Sequence, residues 1–378
     1  MLNKTKEGTS LRRIITLVLL IFLSNAINGQ DQKAPLKVGV IGLTHAHVHW
    51  IFGSEPRGDI KIVGIVEPNK ELAMQYANQY NFPISMVYDS MDDLFANSKP
   101  QAVTAFGSIY QHLEVVEAEA PRGIHVMVEK PLAVHMQHAR KMEDLAKKHK
   151  IHLLTNYETT WYPTTHKIYD LVKKERAIGE IRKIMVQDGH KGPKKIGVNK
   201  EFLEWLTDPD QNGGGAEVDF GCYGVNLSTW LMDGKRPNSV TAITQQLQPE
   251  NNPKVNDESV ILLQYDTTVA VIQGSWNWPI GRKDMEVYGE TGVVHADNRH
   301  DLRLHISEGY DGFEETKMIL EERNTPFDDP FALLAAVVRN DITLEEYDLS
   351  SIENNVLVVE ILDAAKKSAK LKKTVNLD

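Results

Sequence analysis

The segment Ile124-His125-Val126-Met127-Val128-Glu129-Lys130-Pro131 indicates how this chain folds. Its first five residues are mostly apolar or β-branched, which is typical of a buried strand. Because Pro131 cannot donate to a sheet ladder, we expect the strand to end there and to place Lys130 at its carboxyl end. Ligands bind at that edge of an open parallel α/β sheet. A partly desolvated lysine there can have a lowered pKa and move protons, although a surface lysine fits the tripeptide equally well.

Strands and helices alternate on both sides of this segment. The sequence predicts further strands at 36–41, 60–66, 101–106 and 151–154, and helices at 71–80, 112–120 and 134–148. Such alternation indicates right-handed βαβ crossovers. The first part of the chain is therefore predicted to be a doubly wound parallel sheet with helices on both faces.

The pattern changes after residue 156. Helices are predicted at 165–174, 224–232, 331–339 and 354–370, and strands at 181–187, 240–244, 258–265, 269–278, 285–289, 293–297 and 302–306. Most of these strands follow one another without a helix, which favours a largely antiparallel sheet. We therefore expect an α/β protein with an N-terminal domain over 30–155 and a C-terminal α/β domain over 156–378.

The composition of the 378 residues is that of a globular protein, and the formal charge of -10 argues against nucleic acid or anionic membranes as partners. Residues 1–29 have the order of a secretory signal: Arg12-Arg13, an apolar run over 14–23, then small residues. We expect a periplasmic or secreted protein that is free of the membrane after processing; an uncleaved anchor is the alternative. Cys222 is the only cysteine, so no intrachain disulfide can form.

The first strand, Gly42 and the helix that follows could form a phosphate-binding turn. Thr44 and His47 stand where a complete glycine fingerprint has glycines, so a βαβ unit that binds no nucleotide stays possible. The second strand ends at Glu67, an acid that suits a ribose hydroxyl and repels a 2′-phosphate. The turn therefore favours NAD over NADP.

Three histidines near this turn, His45, His47 and His49, suggest a metal site. On a helix His45 and His49 would share a face and His47 would point elsewhere, and no third ligand is visible. We expect no metal, and histidines that line a cofactor pocket or pack at the helix start.

Two further pairs combine a chemical role with a structural one. Asp219 near Tyr223 can orient or bias a phenol that exchanges a proton, but a helix cap and a packed tyrosine fit the spacing better. Trp276 and Trp278 would share one face of a strand. Indoles there suit sugar faces, sheet interfaces or dimer cores, and packing is slightly favoured.

Taken together, these segments resemble the Gfo/Idh/MocA oxidoreductases over about residues 36–305. The stretch 123–131 resembles the Glu-Lys-Pro segment of that family, and Gly213-Gly214-Gly215-Ala216 with Asp219, Gly221, Tyr223 and Asn226 matches a second motif. The resemblance implies an N-terminal Rossmann domain and NAD(P)-linked oxidation or reduction of sugars or polyols. Ser108-Ile109-Tyr110 and Glu158 depart from the family pattern, in which Thr-Pro-Asn and arginine are common.

The resemblance also implies roles for individual residues. The candidate catalytic residues are Lys130, Tyr223 as acid/base, and Asp219. The candidate cofactor-binding residues are Gly42, Thr44, His45, Glu67, Ser108, His112, Glu129 and Lys130. The candidate substrate-binding residues are Lys130, Tyr157, His190, Asp219 and Tyr223.

We therefore predict an exported NAD-dependent oxidoreductase that acts on a hydroxyl of a small carbohydrate. The resemblance further implies a homo-oligomer, a dimer or tetramer through the open sheet, with the Trp276/Trp278 face as a candidate surface. One alternative is an NAD-dependent glycosidase or lyase that oxidises a ring hydroxyl transiently and keeps its NAD. The other is a sugar-binding or structural protein that has lost the cofactor.

Overall fold

Six parallel strands form the N-terminal sheet; the alternating pattern predicts five of them and misses the two-residue strand Val87–Tyr88. In this computed structural model, which describes residues 33–377, their order is β3-β2-β1-β4-β5-β6. The bounds are β1 Leu36–Ile41, β2 Ile60–Val66, β3 Val87–Tyr88, β4 Ala102–Ala105, β5 His125–Glu129 and β6 Leu153–Asn156. This is the strand order of a dinucleotide-binding doubly wound sheet, and β5 ends immediately before Lys130.

Five helices accompany these strands: α1 Val48–Ser54, α2 Lys70–Tyr80, α3 Met91–Ser98, α4 Gln111–Glu119 and α5 Met136–His149. Side chains cap several of them; the Asn69 carboxamide, for example, accepts from the N–H groups of Glu71 and Leu72 at the start of α2. Separate apolar clusters cover the two faces of the sheet. The strand residues are consequently buried, as expected of a parallel sheet between helices.

The second sheet has nine strands in the order β14-β13-β12-β11-β7-β10-β9-β8-β15. Their bounds are β7 Lys183–Gly189, β8 Ser239–Gln245, β9 Glu258–Gln264, β10 Val269–Ser275, β11 Arg282–Tyr288, β12 Gly292–Ala296, β13 Asp301–Glu308, β14 Gly312–Ile319 and β15 Val375–Asn376. The sheet is antiparallel except where β7 runs parallel to β10, which confirms the predicted fold class. β14 was not predicted, because this exposed edge strand buries almost none of its side chains and so lacks the alternation of a half-buried strand.

Eight helices lie in this part of the chain: α6 Pro163–Tyr169, α7 Pro193–Ile196, α8 Lys200–Leu206, α9 Pro209–Asn212, α10 Ala216–Asp219, α11 Gly221–Leu231, α12 Pro330–Val338 and α13 Ile352–Leu371. α12 adds Phe331, Leu333 and Leu334 to an apolar cluster of the parallel sheet. α13 packs against both α5 and β8. Leu36–Asp378 accordingly forms one compact unit.

The predicted signal segment, residues 1–29, lies outside the described residues. Within 33–377, none of the helices combines the length and the apolar character that crossing a membrane would need.

Candidate active site

Lys130 and Asp219 form a buried ion pair between the two sheets. Lys130 follows β5 and Asp219 ends α10; the Lys130 Nζ atom lies 2.5 Å from Asp219 Oδ1 and 2.8 Å from the Asp219 carbonyl oxygen. The side chains are each 6% exposed. Gly213, whose φ is +84°, lets the chain before α10 approach the segment that follows Lys130, because a Cβ there would lie 2.8 Å from the Val134 carbonyl oxygen.

The ion pair determines the charge of both groups. Burial is the largest single influence on Lys130 and lowers its pKa, but the charge and hydrogen bond of Asp219, with a contribution from Glu129, help to outweigh burial, and the net pKa is raised. Burial likewise raises the pKa of Asp219, and the Lys130 ammonium outweighs it, so the net pKa is lowered. The expectation of a lysine with a lowered pKa is therefore wrong, because a buried carboxylate holds the proton on it. Lys130 is an ammonium that can stabilise negative charge.

Trp276 also binds the Asp219 carboxylate. It is fully buried, and its Nε1–H donates to Asp219 Oδ2 over 2.9 Å. Trp278, by contrast, is partly exposed and lies under the guanidinium of Arg282, 4.6 Å from the ring centroid. The prediction that both indoles form an oligomer surface is therefore wrong, since Trp276 faces the interior. Sequence reasoning missed its contact with Asp219 because the two residues are 57 positions apart.

Tyr223, on α11, lies beside two ammonium groups. The Nζ atoms of Lys130 and Lys283 are 5.1 and 4.9 Å from the centroid of its ring. Burial, together with the carboxylates of Glu158 and Asp188, raises the pKa of Tyr223 well above its usual value. The phenol is therefore protonated and can donate a proton. The Asp219 carboxylate accepts from Lys130 and Trp276, and no hydrogen bond from the Tyr223 hydroxyl to it is described.

Lys283 belongs to a second charged group that the sequence did not reveal. It forms an ion pair with Glu158, whose carboxylate also accepts from the Tyr162 hydroxyl over 2.6 Å. Burial raises the pKa of Glu158, but Lys283 outweighs burial and the pKa falls to about 2. Lys283 stands opposite Asp188 in the β11–β7 register. Neither carboxylate oxygen of the buried Asp188 has a described hydrogen-bond partner, and burial raises its pKa well above the usual range.

A cleft of about 560 Å³ opens beside this group. It is lined by Glu158, Tyr162, Gly189, His190, Phe220, Gly281, Arg282, Lys283, Asp297, Asn298 and Arg299. Of the predicted substrate residues, His190 lines it, with its ring 4.9 Å from that of Phe220. Tyr157 lies deeper, fully buried, with its ring 5.4 Å from that of Tyr223.

The predicted phosphate-binding turn follows β1. Gly42 has a φ of +81°, and a Cβ there would lie 2.9 Å from the Gly107 nitrogen, so the turn requires glycine. Glu67 stands at the end of β2 as predicted, and its carboxylate accepts from the Leu43 and Asn69 N–H groups, each over 2.9 Å. Glu67 thus shapes the turn itself, a role that strand patterns do not predict. The Thr44 hydroxyl bonds the Phe106 carbonyl over 3.4 Å.

The histidine geometry differs from the prediction, because α1 begins only at Val48 and His45 and His47 precede it. The ring centroids of His45 and His47 lie 4.6 Å apart, while His49 stacks on Tyr76 at 5.3 Å. His47 Nδ1 bonds Glu129 Oε2 over 2.8 Å. Burial raises the pKa of Glu129, but the two histidines outweigh it and lower the pKa to about 2.

His45, His47 and Glu129 bring three possible metal-ligand atoms within 4.8 Å of one another. However, His45 Nδ1 accepts the His47 N–H over 3.0 Å, so the proton of the neutral ring is on Nε2. Neither ring nitrogen then offers a free lone pair. Glu129 is also engaged, since its Oε1 accepts from Asn156 Nδ2 over 2.8 Å. These contacts make His45 Nε2 a hydrogen-bond donor and leave the three residues poorly suited to bind a metal.

Two predicted cofactor residues follow β4. The Ser108 hydroxyl donates to Gln211 Oε1 over 2.7 Å. His112 is fully buried; its Nδ1 donates to the Leu132 carbonyl over 3.1 Å, which leaves Nε2 as a bare acceptor. Burial lowers the pKa of His112 to about 4, so the ring stays neutral.

Unpartnered buried atoms test whether these residues fit a dinucleotide. His45 Nε2 is a donor and His112 Nε2 an acceptor, and neither has a partner among the described residues. A dinucleotide offers phosphate oxygens to the first and hydroxyl or amide hydrogens to the second. Together with the Gly42 turn, the residues present fit the cofactor.

Two models of one protein family match successive parts of the chain. Residues 36–157 match the family model described as "Oxidoreductase family, NAD-binding Rossmann fold", and residues 166–295 match the "GFO/IDH/MocA C-terminal domain". Trans-1,2-dihydrobenzene-1,2-diol dehydrogenase of Xenopus tropicalis is 30% identical over 191 residues, which are 50% of this chain and 53% of the relative. The match thus spans about half the length of that relative.

Solved structures share the whole architecture. The aldose-aldose oxidoreductase from Caulobacter crescentus, complexed with glycerol, has a TM-score of 0.74 at 20% identity, covering 91% of this chain and 100% of that one. The inositol dehydrogenase homolog from Azotobacter vinelandii, complexed with NAD⁺, has a TM-score of 0.75 at 18% identity, covering 91% and 97%. At these identities the likeness establishes the fold.

Proposed function

We propose, because the chain belongs to the Gfo/Idh/MocA oxidoreductase family, that it transfers hydride between NAD and a hydroxyl-bearing carbon of a sugar or polyol. One observation carries the proposal: Lys130 and Tyr223, from the two halves of the chain, lie together, with the Lys130 Nζ atom 5.1 Å from the centroid of the Tyr223 ring. A buried cation next to a protonated phenol is the equipment for handling a carbonyl or alkoxide oxygen.

The two residues have distinct roles in this proposal. NAD, when bound, supplies the hydride acceptor or donor. Lys130 stabilises negative charge on the substrate oxygen, because Asp219 keeps it protonated. Tyr223 donates the proton that converts a carbonyl to a hydroxyl. In the reverse oxidation the proton of the substrate hydroxyl passes to the phenolate form of Tyr223, which the raised pKa makes a strong base that is populated only at alkaline pH. Asp219 and Trp276 position the ammonium through the hydrogen bonds described above.

The charges around the cleft support a neutral substrate. Each cation that faces it has an acidic partner: Lys283 with Glu158, Arg282 with Asp284, and Arg299 with Glu322. The two arginine pairs are bidentate, so an incoming carboxylate would have to compete with them. Polar side chains and the face of Phe220 suit a polyhydroxylated ring.

The acidic residues near the phosphate-binding turn favour NAD over NADP. Burial raises the pKa of Glu67, and the carboxylate of Glu201 on α8 contributes in the same direction, which places a second acid near the turn. The carboxylates of Glu67 and Glu201 would both repel the 2′-phosphate of NADP.

The direct test uses the full chain. It is purified and denatured, the released nucleotide is quantified, and the native protein is then assayed with sugars, polyols and aryl glycosides, with and without NAD⁺. Reduced nicotinamide formed with a sugar or polyol supports the proposal. Glycoside cleavage without net reduction favours a glycosidase or lyase that keeps its NAD. A chain that neither contains nor binds dinucleotide overturns the proposal in favour of a sugar-binding or structural role.

We further propose that the protein is exported, on the strength of the signal-like residues 1–29. Cell fractionation with N-terminal sequencing of the mature protein tests this. Recovery of the full-length chain in the cytoplasm would contradict it.

We also propose a homo-oligomer that forms through the open sheet. Ile243, Leu262 and Val269 are exposed on its solvent face, and Val271 lies opposite Leu262 in the register. Light scattering should show a dimer or tetramer, and Leu262→Glu should dissociate it. A monomeric wild type would contradict this arrangement.

A further inference from the structure

A second cavity lies apart from the cleft beside Lys283. Its volume is about 640 Å³, within the range of about 300–1,000 Å³ that is usual for small-molecule sites, and it shares no lining residue with that cleft. Its walls come from α6, the end of α11 and the connecting segments before and after α12. The chain continues from α6 into a π-helical turn, Asp170–Lys174, whose end residues also line the cavity. Such turns are rare and are frequent at functional sites.

Arg323 brings a guanidinium to this cavity, and no ion pair with a carboxylate is described for it within residues 33–377. Its Nη1 atom donates to the Phe327 carbonyl over 3.1 Å and lies 2.8 Å from His166 Nε2, while Nε and Nη2 have no described hydrogen bond in that range. Burial lowers the pKa of Arg323, and the charge of Asp348, the strongest opposing influence, does not make up for it. An anionic group of a ligand would stabilise a cation in this position.

The remaining charges of the lining are mostly negative, with five acidic side chains and two basic ones. Asp348 accepts one described hydrogen bond, from the Ser350 N–H over 3.0 Å, and burial raises its pKa. Glu345 beside it has no described ion pair. An ammonium group placed here would offset the burial of Asp348. The other three acids already have partners: Asp170 with Lys174, Asp233 with Lys173, and Glu346 with the Tyr347 hydroxyl.

Aromatic rings form a third part of the lining. Trp230 stacks on Tyr169, with ring centroids 4.5 Å apart, and is 9% exposed. An apolar group packed against these rings would be removed from water. The acidic excess would repel a purely anionic ligand, and Arg323 would repel a purely cationic one. A molecule that carries both charges and an apolar group matches all three parts of the cavity.

We propose that this cavity binds a free α-amino acid with an apolar side chain. Arg323 binds its carboxylate, Asp348 binds its ammonium group, and its side chain packs on Trp230. The site goes beyond the proposed function, because none of these residues lines the cleft or belongs to the phosphate-binding turn.

Isothermal titration calorimetry of the full chain with L-leucine and L-phenylalanine tests the proposal. Each amino acid is compared with an amine that lacks the carboxylate, 3-methylbutylamine or 2-phenylethylamine, and with an acid that lacks the ammonium, 4-methylpentanoate or 3-phenylpropanoate. We expect at least one amino acid to bind, and its amine and its acid to bind about 10-fold to 100-fold more weakly, the effect of losing a hydrogen bond to a charged group. An amine or an acid that binds as tightly as its amino acid would overturn the inference, and so would the absence of binding by both amino acids at millimolar concentration.

Two variants, checked for folding by circular dichroism, assign the charges. Arg323→Gln should weaken the amino acid about 10-fold to 100-fold without weakening the amine. Asp348→Asn keeps an acceptor for the Ser350 N–H and should weaken the amino acid and the amine without weakening the acid. Arg182→Gln, at an exposed ion pair with Glu290 outside the lining, is the control and should bind as the wild type does. Wild-type affinity in Arg323→Gln would overturn the inference and leave the proposed function standing.

Discussion

Asp219→Asn should be strongly destabilising, although it replaces only one carboxylate oxygen by an amide nitrogen. The substitution keeps the size of the side chain but leaves the buried Lys130 ammonium without a counter-charge. At a separation of 2.5 Å and an effective dielectric constant of about 20, the lost attraction is about 6–7 kcal/mol. The desolvation already incurred by both ions offsets part of it, and removal of one partner from a buried pair typically costs about 3–5 kcal/mol.

In the variant, Lys130 can avoid carrying an unpaired charge by losing its proton. The free-energy cost of that deprotonation gives a similar estimate of the lost stability. Removing the proton at neutral pH from an amine whose pKa is about 10.4 in the unfolded chain costs about 4–5 kcal/mol. We therefore expect the free energy of unfolding of Asp219→Asn to fall by about 3–4 kcal/mol near neutral pH. Urea unfolding followed by circular dichroism measures it, with Asp233→Asn, at an exposed ion pair with Lys173, as the control.

The pH dependence provides a second check on the same variant. In the wild type the pKa of Lys130 is raised, so its stabilising contribution is complete below the unfolded pKa and is lost only as pH rises through the folded pKa. In Asp219→Asn the folded pKa lies below the unfolded one, so the variant gains stability as pH rises between the two. The difference in the free energy of unfolding between the wild type and the variant should therefore become smaller toward alkaline pH.

The double variant Lys130→Met, Asp219→Asn completes the cycle. Replacing both members of a buried pair by neutral groups is often nearly neutral, so it should recover most of the lost stability. A loss below about 1 kcal/mol in Asp219→Asn, or no recovery in the double variant, would refute the argument that the pair is buried and charged.

Three further variants test individual groups. Tyr223→Phe should lower kcat by roughly 10²–10⁴-fold in steady-state assays, and equal losses in NAD⁺ affinity would show a binding role instead. His47→Gln should raise the pKa of Glu129, now about 2, so that the acid unfolding midpoint moves to higher pH; an unchanged midpoint in an acid titration of ellipticity would count against the contact. Lys283→Met should raise the pKa of Glu158 from about 2 and introduce a new acidic limb in the pH profile of kcat/KM, and an unaltered profile would contradict that role.

Five of the six parallel strands could be predicted, because buried strands and amphipathic helices have distinct periods. β3 and α3 were missed, since a two-residue strand and a helix with a single buried residue show no clear period. β5 ends where Pro131 requires, and Glu67 stands where β2 ends. The helix after β1 was placed too early, since His45 and His47 form an irregular turn that hydrogen-bonds to itself and to Glu129. No periodic pattern describes such a turn.

The contacts that fix charge at the site were beyond sequence reasoning. Lys130 and Asp219 are 89 positions apart, and Lys283 and Glu158 are 125 apart, so their pairing depends on how the two sheets pack. The sign of the pKa shift of Lys130 follows from that packing alone. Helix α8 was missed because its three apolar residues, Phe202, Trp205 and Leu206, form a pattern too short to separate from a loop.

Hydride transfer in one turnover tests the central claim most directly. Wild type and the Lys130→Met, Asp219→Asn double variant, both loaded with NAD⁺, are mixed with the sugar or polyol substrate, and the absorbance of reduced nicotinamide is followed by stopped flow. The account predicts that the double variant retains its cofactor and transfers hydride roughly 10²–10⁴-fold more slowly, because the ammonium beside Tyr223 is gone. Transfer at the wild-type rate would contradict it.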